Sequence, residues 1–113
     1  MNVSFNGYRS PIKTMWRQGI LKVSRGLYGE VLTSDNISVE HLIPRSVGGE
    51  TVLGNLALAS QKMNSLRGSK PLREVLSAEQ ALAYISQFAK DKRKIIVQYV
   101  AQVTETFKNL GVI

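Results

Sequence analysis

Residues 39–69 have the sequence VEHLIPRSVGGETVLGNLALASQKMNSLRGS, and this segment is the most informative part of the chain about its fold. It contains the only histidine of the chain, His41, directly after a carboxylate, Glu40. Two asparagines, Asn55 and Asn64, follow further along the same stretch. A carboxylate, an imidazole and an amide oxygen can together hold one divalent metal ion and activate one water molecule. The residue types therefore point to metal-assisted hydrolysis as a candidate chemistry.

The first half of this stretch predicts a strand and a turn. Apolar and polar residues alternate from 37 to 43, which is typical of a half-buried β-strand. Pro44 ends the strand, because proline cannot donate a ladder hydrogen bond. Gly48-Gly49 predicts a turn that can take positive φ, and residues 51–53 can pair back as the return strand.

The second half predicts a helix from Asn55 to about Leu66. Leu56, Ala59 and Met63 have helical spacing, and asparagine is a favoured N-cap residue. A glycine at position 68 and a proline at position 71 indicate where the helix ends. The predicted order is thus strand, loop, strand and helix.

Helices are also predicted on both sides. Ser10-Pro11 is typical of a helix N-terminus, so we expect a short helix over residues 11–18, followed by a possible short strand over 27–32. Ser77 and Gln80 form a capping-box pattern, and apolar residues at helical spacing follow from Leu82 to Phe107. The C-terminal part, about residues 72–109, is therefore expected to be helical, either as one long helix after the Ser77 cap or as two helices that break near residues 90–94. The resulting fold class is α+β.

Composition limits the possible classes of protein. At 113 residues the chain is expected to form one domain over 1–113. It has no cysteine, which excludes disulfides and a cysteine-ligated zinc site. It also lacks an apolar run of membrane-spanning length, and its first nine residues lack the pattern of a signal peptide, so a cytoplasmic protein is expected.

The charge balance favours a polyanionic partner. The formal net charge is +7, and residues 1–73 hold ten Lys and Arg against four Asp and Glu. Residues 74–113 hold five cations and four anions. The excess therefore accompanies the His41 region, and Arg45, Lys62, Arg67 and Lys70 are candidate contacts to nucleic-acid phosphates.

Each candidate also has an ordinary structural explanation. A single histidine on a strand is more often structural or exposed than catalytic. Glu40, taken alone, fits a solvated strand residue. Asn55 fits a helix N-cap, and Asn64 fits an exposed helix position. Residues 90–94, four of which are basic, fit either phosphate contacts or a solvated helix face. The functional interpretation therefore depends on the joint occurrence of these residues.

Taken together, residues 39–46, Gly48-Gly49, Asn55-Leu56 and Asn64 resemble the motif of HNH endonucleases. The resemblance covers about residues 37–70 and implies a ββα-metal core, in which a two-stranded hairpin and a helix hold one divalent ion. The spacing from His41 to Asn64 is similar to that in the HNH domain of RNA-guided CRISPR nucleases. The implied activity is metal-dependent hydrolysis of phosphodiester bonds, most readily in double-stranded DNA.

The resemblance also implies a role for each residue. His41 resembles the general base that activates water, and Asn55 resembles the central asparagine that ties the loop and holds the histidine strand. Glu40 and Asn64 resemble the ligands of the divalent ion, which would be Mg²⁺ or Mn²⁺. The structural zinc of many family members has no counterpart, because its cysteines are absent.

Two alternatives remain beside a small HNH nuclease. One is a basic nucleic-acid-binding module without catalysis, which would use the same cations on phosphates. The other is a subunit of a larger phage, mobile-element or restriction complex. A homodimer is possible too, because double-strand cleavage requires two single-strand cuts.

Overall fold

The computed structural model describes residues 11–113. These residues form an α+β fold in which a two-stranded antiparallel sheet is surrounded by helices. In chain order the elements are α1 (Pro11–Arg17), β1 (Ile37–His41), β2 (Leu56–Ser60), α2 (Gln61–Arg67), α3 (Leu72–Val75), α4 (Ala78–Ser86) and α5 (Lys94–Asn109). Two short 3₁₀ turns, Arg45–Val47 and Leu53–Asn55, lie in the loop between the strands.

The first strand is confirmed, but the predicted return strand and helix start are wrong. β1 pairs with residues 56–60 in place of 51–53, with Ile37 opposite Ser60 and His41 opposite Leu56. The following helix begins at Gln61, and Ser60 is its N-cap, accepting a hydrogen bond from the backbone N–H of Met63 at 3.2 Å. Every residue of β2 is buried, so the segment lacks the alternation that identifies a half-exposed strand.

The outer edge of β2 is covered by two tyrosines from the C-terminal helices. The Tyr84 hydroxyl accepts from the backbone N–H of Leu58 at 3.0 Å, and the Tyr99 hydroxyl donates to the Leu56 carbonyl at 2.8 Å. The two hydroxyls lie 2.8 Å apart. Burial raises the pKa of Tyr84 to about 12, so it stays protonated. These bonds satisfy backbone groups that a two-stranded sheet otherwise leaves exposed.

The segment before β1 covers the rest of that edge. The backbone N–H of Leu27 donates to the Leu58 carbonyl at 2.8 Å, and a Glu30 carboxylate oxygen accepts from the Ser60 backbone N–H at 3.0 Å. The strand predicted over residues 27–32 is not formed; a single bridge joins Arg25 and Val31.

The flanking helices agree closely with the sequence. α1 occupies the predicted range, whereas its expected cap, Ser10, lies outside the described residues. The capping box at Ser77 and Gln80 is present with both of its hydrogen bonds. The C-terminal part is broken between Ser86 and Lys94, which settles the choice left open by the sequence.

One hydrophobic core joins all these elements. α5 contributes Ile96, Tyr99, Val103 and Phe107, all with 0% exposure, and α1 contributes Ile12. Among residues 11–113, no helix has the length and apolarity needed to span a membrane.

Candidate active site

His41 ends β1 and faces the loop of residues 42–55. Its Nε2 lies 2.9 Å from the Thr51 hydroxyl, and the imidazole is half-buried. Burial and the nearby charge of Arg45 lower the pKa of His41 below its usual value of 6.5. The imidazole is therefore neutral at pH 7 and can accept a proton.

Asn55 ties this loop together from inside. Its Oδ1 accepts from the backbone N–H of Ile43 at 2.8 Å, and its Nδ2 donates to the carbonyls of Ile43 and Glu50 at 3.1 and 2.9 Å. The Asn55 carbonyl also accepts from the Leu42 N–H at 2.8 Å. Asn55 is only 5% exposed, and it caps no helix. The backbone directly after His41 is thereby fixed.

Gly49 is required by the close approach of the loop to itself. A Cβ atom at this position would lie 1.7 Å from the Ile43 carbonyl oxygen, where no side chain fits. The Gly49 N–H donates to the Pro44 carbonyl at 2.9 Å. The neighbouring Gly48 has φ of 95°, and open space surrounds its absent Cβ. The two glycines are thus needed for different reasons.

Glu40 points away from His41, because neighbouring strand residues face opposite sides of a sheet. It is 2% exposed, and both of its oxygens have partners. Oε2 accepts from the Tyr28 hydroxyl at 2.9 Å, and Oε1 accepts from Arg67 Nη1 at 3.0 Å. Burial raises the pKa of Glu40, while these two hydrogen bonds oppose the rise.

Arg67 is a structural cation in this fold. Besides Glu40, its guanidinium donates to the carbonyls of His41 at 2.7 Å, Leu42 at 2.8 Å and Lys70 at 2.9 Å. It is 2% exposed. The expectation that Arg67 contacts a phosphate is therefore corrected: its N–H groups are directed to the end of β1 and to the turn after α2.

Asn64 lies on the same side of β1 as Arg67, one helical turn earlier. Its Nδ2 donates to the Ser38 hydroxyl and the Val39 carbonyl, each at 2.9 Å. α2 thus crosses the sheet so that Asn64 meets Ser38 while Arg67 meets Glu40. The helix and strand bring the two predicted ligands to one interface.

These residues, as arranged, do not fit a bound divalent ion. A metal ligand must present an oxygen to the ion, but both Glu40 oxygens are occupied by donors and the guanidinium stands beside one of them. Asn64 directs its amide nitrogen to β1, so only its Oδ1 is left to face an ion. Across residues 11–113 no group of three or more His, Cys, Asp or Glu could hold a metal. Metal ligation by Glu40 and Asn64 stays a prediction, and it requires Arg67 to leave Glu40.

The other three predicted phosphate contacts are exposed. Arg45 lies in the loop beside His41, Lys62 lies in the first turn of α2, and Lys70 follows that helix. Their side chains can reach a polyanion without breaking a buried contact. Arg45 is in addition close enough to act electrostatically on the His41 imidazole.

Two residues of the site were missed by the sequence interpretation. Tyr28 lies twelve positions before Glu40 and belongs to no recognisable pattern, so the sequence does not predict its contact with Glu40. Thr51 was assigned to the return strand, which placed it in the wrong element. Its hydroxyl, ten positions after the only histidine of the chain, was the one available signal.

The chain was compared with models of protein families, with curated proteins and with solved structures, and none of the three comparisons gave a match.

Proposed function

We propose that this chain is an HNH-type endonuclease that hydrolyses phosphodiester bonds in DNA. The observation that carries the proposal is the fixed, neutral imidazole of His41 at the end of β1. It is held 2.9 Å from Thr51 in a loop tied by Asn55. The hairpin, with α2 crossing it, is the arrangement expected for the ββα core that the motif implies.

In the proposed reaction His41 is the general base. In the tautomer that this reaction requires, Nε2–H donates to the Thr51 hydroxyl, and the lone pair of Nδ1 takes a proton from water. The water oxygen then bonds to phosphorus as the bond between phosphorus and the leaving oxygen breaks. A general base of this kind contributes about 10²–10⁴ in rate. Arg45 supplies positive charge beside this position and would hold a phosphate oxygen.

The divalent ion, Mg²⁺ or Mn²⁺, belongs to the proposal only through the resemblance. When bound, such an ion would stabilise charge on the phosphate and the leaving oxygen. Because Arg67 and Tyr28 engage both oxygens of Glu40, this carboxylate would have to leave Arg67 before it could hold the ion.

The same contacts favour a second candidate, a DNA-binding module without catalysis. In such a module, the buried Glu40 carboxylate, which Arg67 neutralises, would stabilise the fold. In this role Arg45, Lys62 and Lys70 would still contact phosphates. A subunit of a larger phage or restriction complex, or a homodimer, is compatible with either candidate.

Cleavage of supercoiled plasmid separates the candidates. The purified wild-type protein is incubated with plasmid in Mg²⁺, in Mn²⁺ and in EDTA, beside His41→Ala and a control, Gln98→Ala, at an exposed site on α5. The nuclease proposal predicts nicked or linear product with the wild type and with Gln98→Ala, and no product with His41→Ala. Absence of product in every condition, with DNA binding retained, would overturn it in favour of the binding module.

A further inference from the structure

The net charge of the chain is concentrated in two segments outside the motif. Residues 13–25 contain four cations and no anion, and residues 90–94 contain four cations and one anion. The rest of the chain contains seven cations and seven anions, so it is neutral overall. The whole formal charge of +7 therefore belongs to these two segments.

The fold joins the two segments, although about seventy positions separate them in sequence. The Arg93 guanidinium donates to the Ile20 carbonyl. Gln87 accepts from the Arg25 backbone N–H and donates to the Arg25 carbonyl, each at 3.0 Å. Lys22 is close enough to Asp91 to contribute to the lowering of the pKa of that carboxyl. The turn between α4 and α5 is thus fastened to the loop after α1.

Seven of the eight cations in these two segments are exposed. We define the basic face as Arg17, Lys22, Arg25, Lys90, Lys92, Arg93 and Lys94, every one of which is exposed. Asp91 is its one anion, and it is paired with Arg93. The other six residues carry positive charge that no anion of these two segments offsets, and a polyanion would complement it.

A shallow hollow with an aromatic wall adjoins these charges. It has a volume of about 390 Å³, and its lining includes Trp16, Gly19, Leu21 and Lys22. Trp16 is the only tryptophan of the chain and is half-exposed. A flat aromatic surface beside an exposed lysine suits a nucleic acid, which offers sugar and base edges next to its phosphates.

We propose that the basic face is a docking surface for the phosphate backbone of duplex DNA, separate from the contacts near His41. The proposal rests on the proposed function for the identity of the polyanion. It assigns to residues 13–25 and 90–94 the role of holding the duplex while the loop after β1 meets the scissile phosphate. Two separated groups of contacts would fix the direction of the duplex on the protein.

The test compares two double variants with equal loss of charge. Lys22→Gln with Lys94→Gln alters the basic face, and Arg73→Gln with Lys108→Gln alters exposed cations elsewhere. Both are made in the His41→Ala protein, so that DNA stays intact. The dissociation constant of a labelled duplex is measured by fluorescence anisotropy over a range of salt concentrations, and Trp16 emission is recorded with the same duplex unlabelled.

The basic-face pair is expected to lower the slope of log K against log salt by about 2, since each phosphate contact contributes about 0.9. Its binding should weaken at least tenfold at low salt, while the control pair keeps the parental slope. Saturating DNA should change Trp16 emission in the parental protein. Equal effects of the two pairs, no effect of either, or unchanged Trp16 emission would overturn the proposal.

The outcomes also separate this proposal from the nuclease proposal. Binding that depends on the basic face without plasmid cleavage by the wild type would leave the docking surface standing and remove the nuclease. If the wild type cleaves plasmid but the basic-face variant binds DNA as tightly as its parent, the nuclease proposal would stand and the docking surface would be removed. Preference for vesicles of anionic lipid over the duplex would identify another partner and overturn the docking proposal.

Discussion

Arg67 Nη1 lies 3.0 Å from Glu40 Oε1, and the two side chains are 1% and 3% exposed. This pair joins the end of β1 to the last turn of α2, the two elements that carry the candidate site. The strand and the helix that crosses it are joined here by this buried ion pair, so its removal has predictable consequences.

Arg67→Ala should destabilise the fold strongly. It leaves the Glu40 carboxylate buried with one donor, Tyr28, and such broken pairs cost about 3–5 kcal/mol in unfolding free energy. Urea unfolding followed by circular dichroism measures the loss. Arg73→Ala, at an exposed arginine on α3, is the matched control and should change stability little. Equal effects of the two variants would show that the pair is not structural.

Tyr28→Phe should cost less than Arg67→Ala. It removes one donor to Glu40 Oε2 but keeps the ring in the core and the ion pair intact. A buried polar group left without its partner costs about 1–3 kcal/mol. The same urea titration measures it, and a variant as stable as the wild type would show that the hydroxyl contributes nothing to holding Glu40.

Gly49→Ala should disturb the loop more than Gly48→Ala. The first places a Cβ at 1.7 Å from a backbone oxygen, whereas the second meets no atom and is penalised only for its positive φ. That second penalty is about 1 kcal/mol. Thermal unfolding compares the two variants directly. A larger loss at Gly48 would contradict the described loop.

Divalent ions should not stabilise the free protein, because Arg67 and Tyr28 occupy the Glu40 oxygens. We expect the same melting temperature in millimolar Mg²⁺, in Mn²⁺ and in EDTA. A rise in melting temperature with either ion that disappears in Glu40→Gln would show direct ligation by Glu40. The same melting temperatures are measured with DNA added as the matched condition, since Mg²⁺ is commonly held through substrate phosphates.

Cleavage should depend on pH through His41. Its pKa is lowered by burial and by Arg45, so the neutral base is complete at a lower pH than for a free imidazole. The rate should rise with pH through a midpoint that lies below the value of about 6.5 for a free imidazole, and then level off. The unfolded chain binds the proton more readily, so folding stability should fall as pH decreases through the same range. Initial rates between pH 5 and 8 test this, and a midpoint at or above that of a free imidazole would contradict it.

The sequence predicted β1 and the C-terminal end of α2, but it misplaced the second strand and the start of that helix. Residues 56–60 consist of Leu, Ala and Ser, which have good or moderate helix propensity, and Leu56, Ala59 and Met63 share a helical face. The segment is a strand because β1 and the two tyrosines satisfy its backbone, which is a tertiary effect. Propensity is a weak predictor in such buried strands.

The candidate site was predictable in residue identity but not in contacts. Asn55 was expected both to tie the loop and to cap a helix, and the structure shows only the first. Arg67 was expected at the surface because arginine is rarely buried unless it is paired. Its partner, Glu40, is 27 positions away. A pairing at that distance follows only from the crossing of α2 over β1.

The central claim, that His41 is a general base, is tested most directly by single-turnover cleavage of a defined DNA duplex. The rate constants of wild type and His41→Ala are compared at pH 7 in each divalent ion, with binding of both proteins measured separately. We expect His41→Ala to lower the cleavage rate constant at least 100-fold while its DNA affinity stays nearly equal to that of the wild type. An unchanged rate constant in His41→Ala would contradict it.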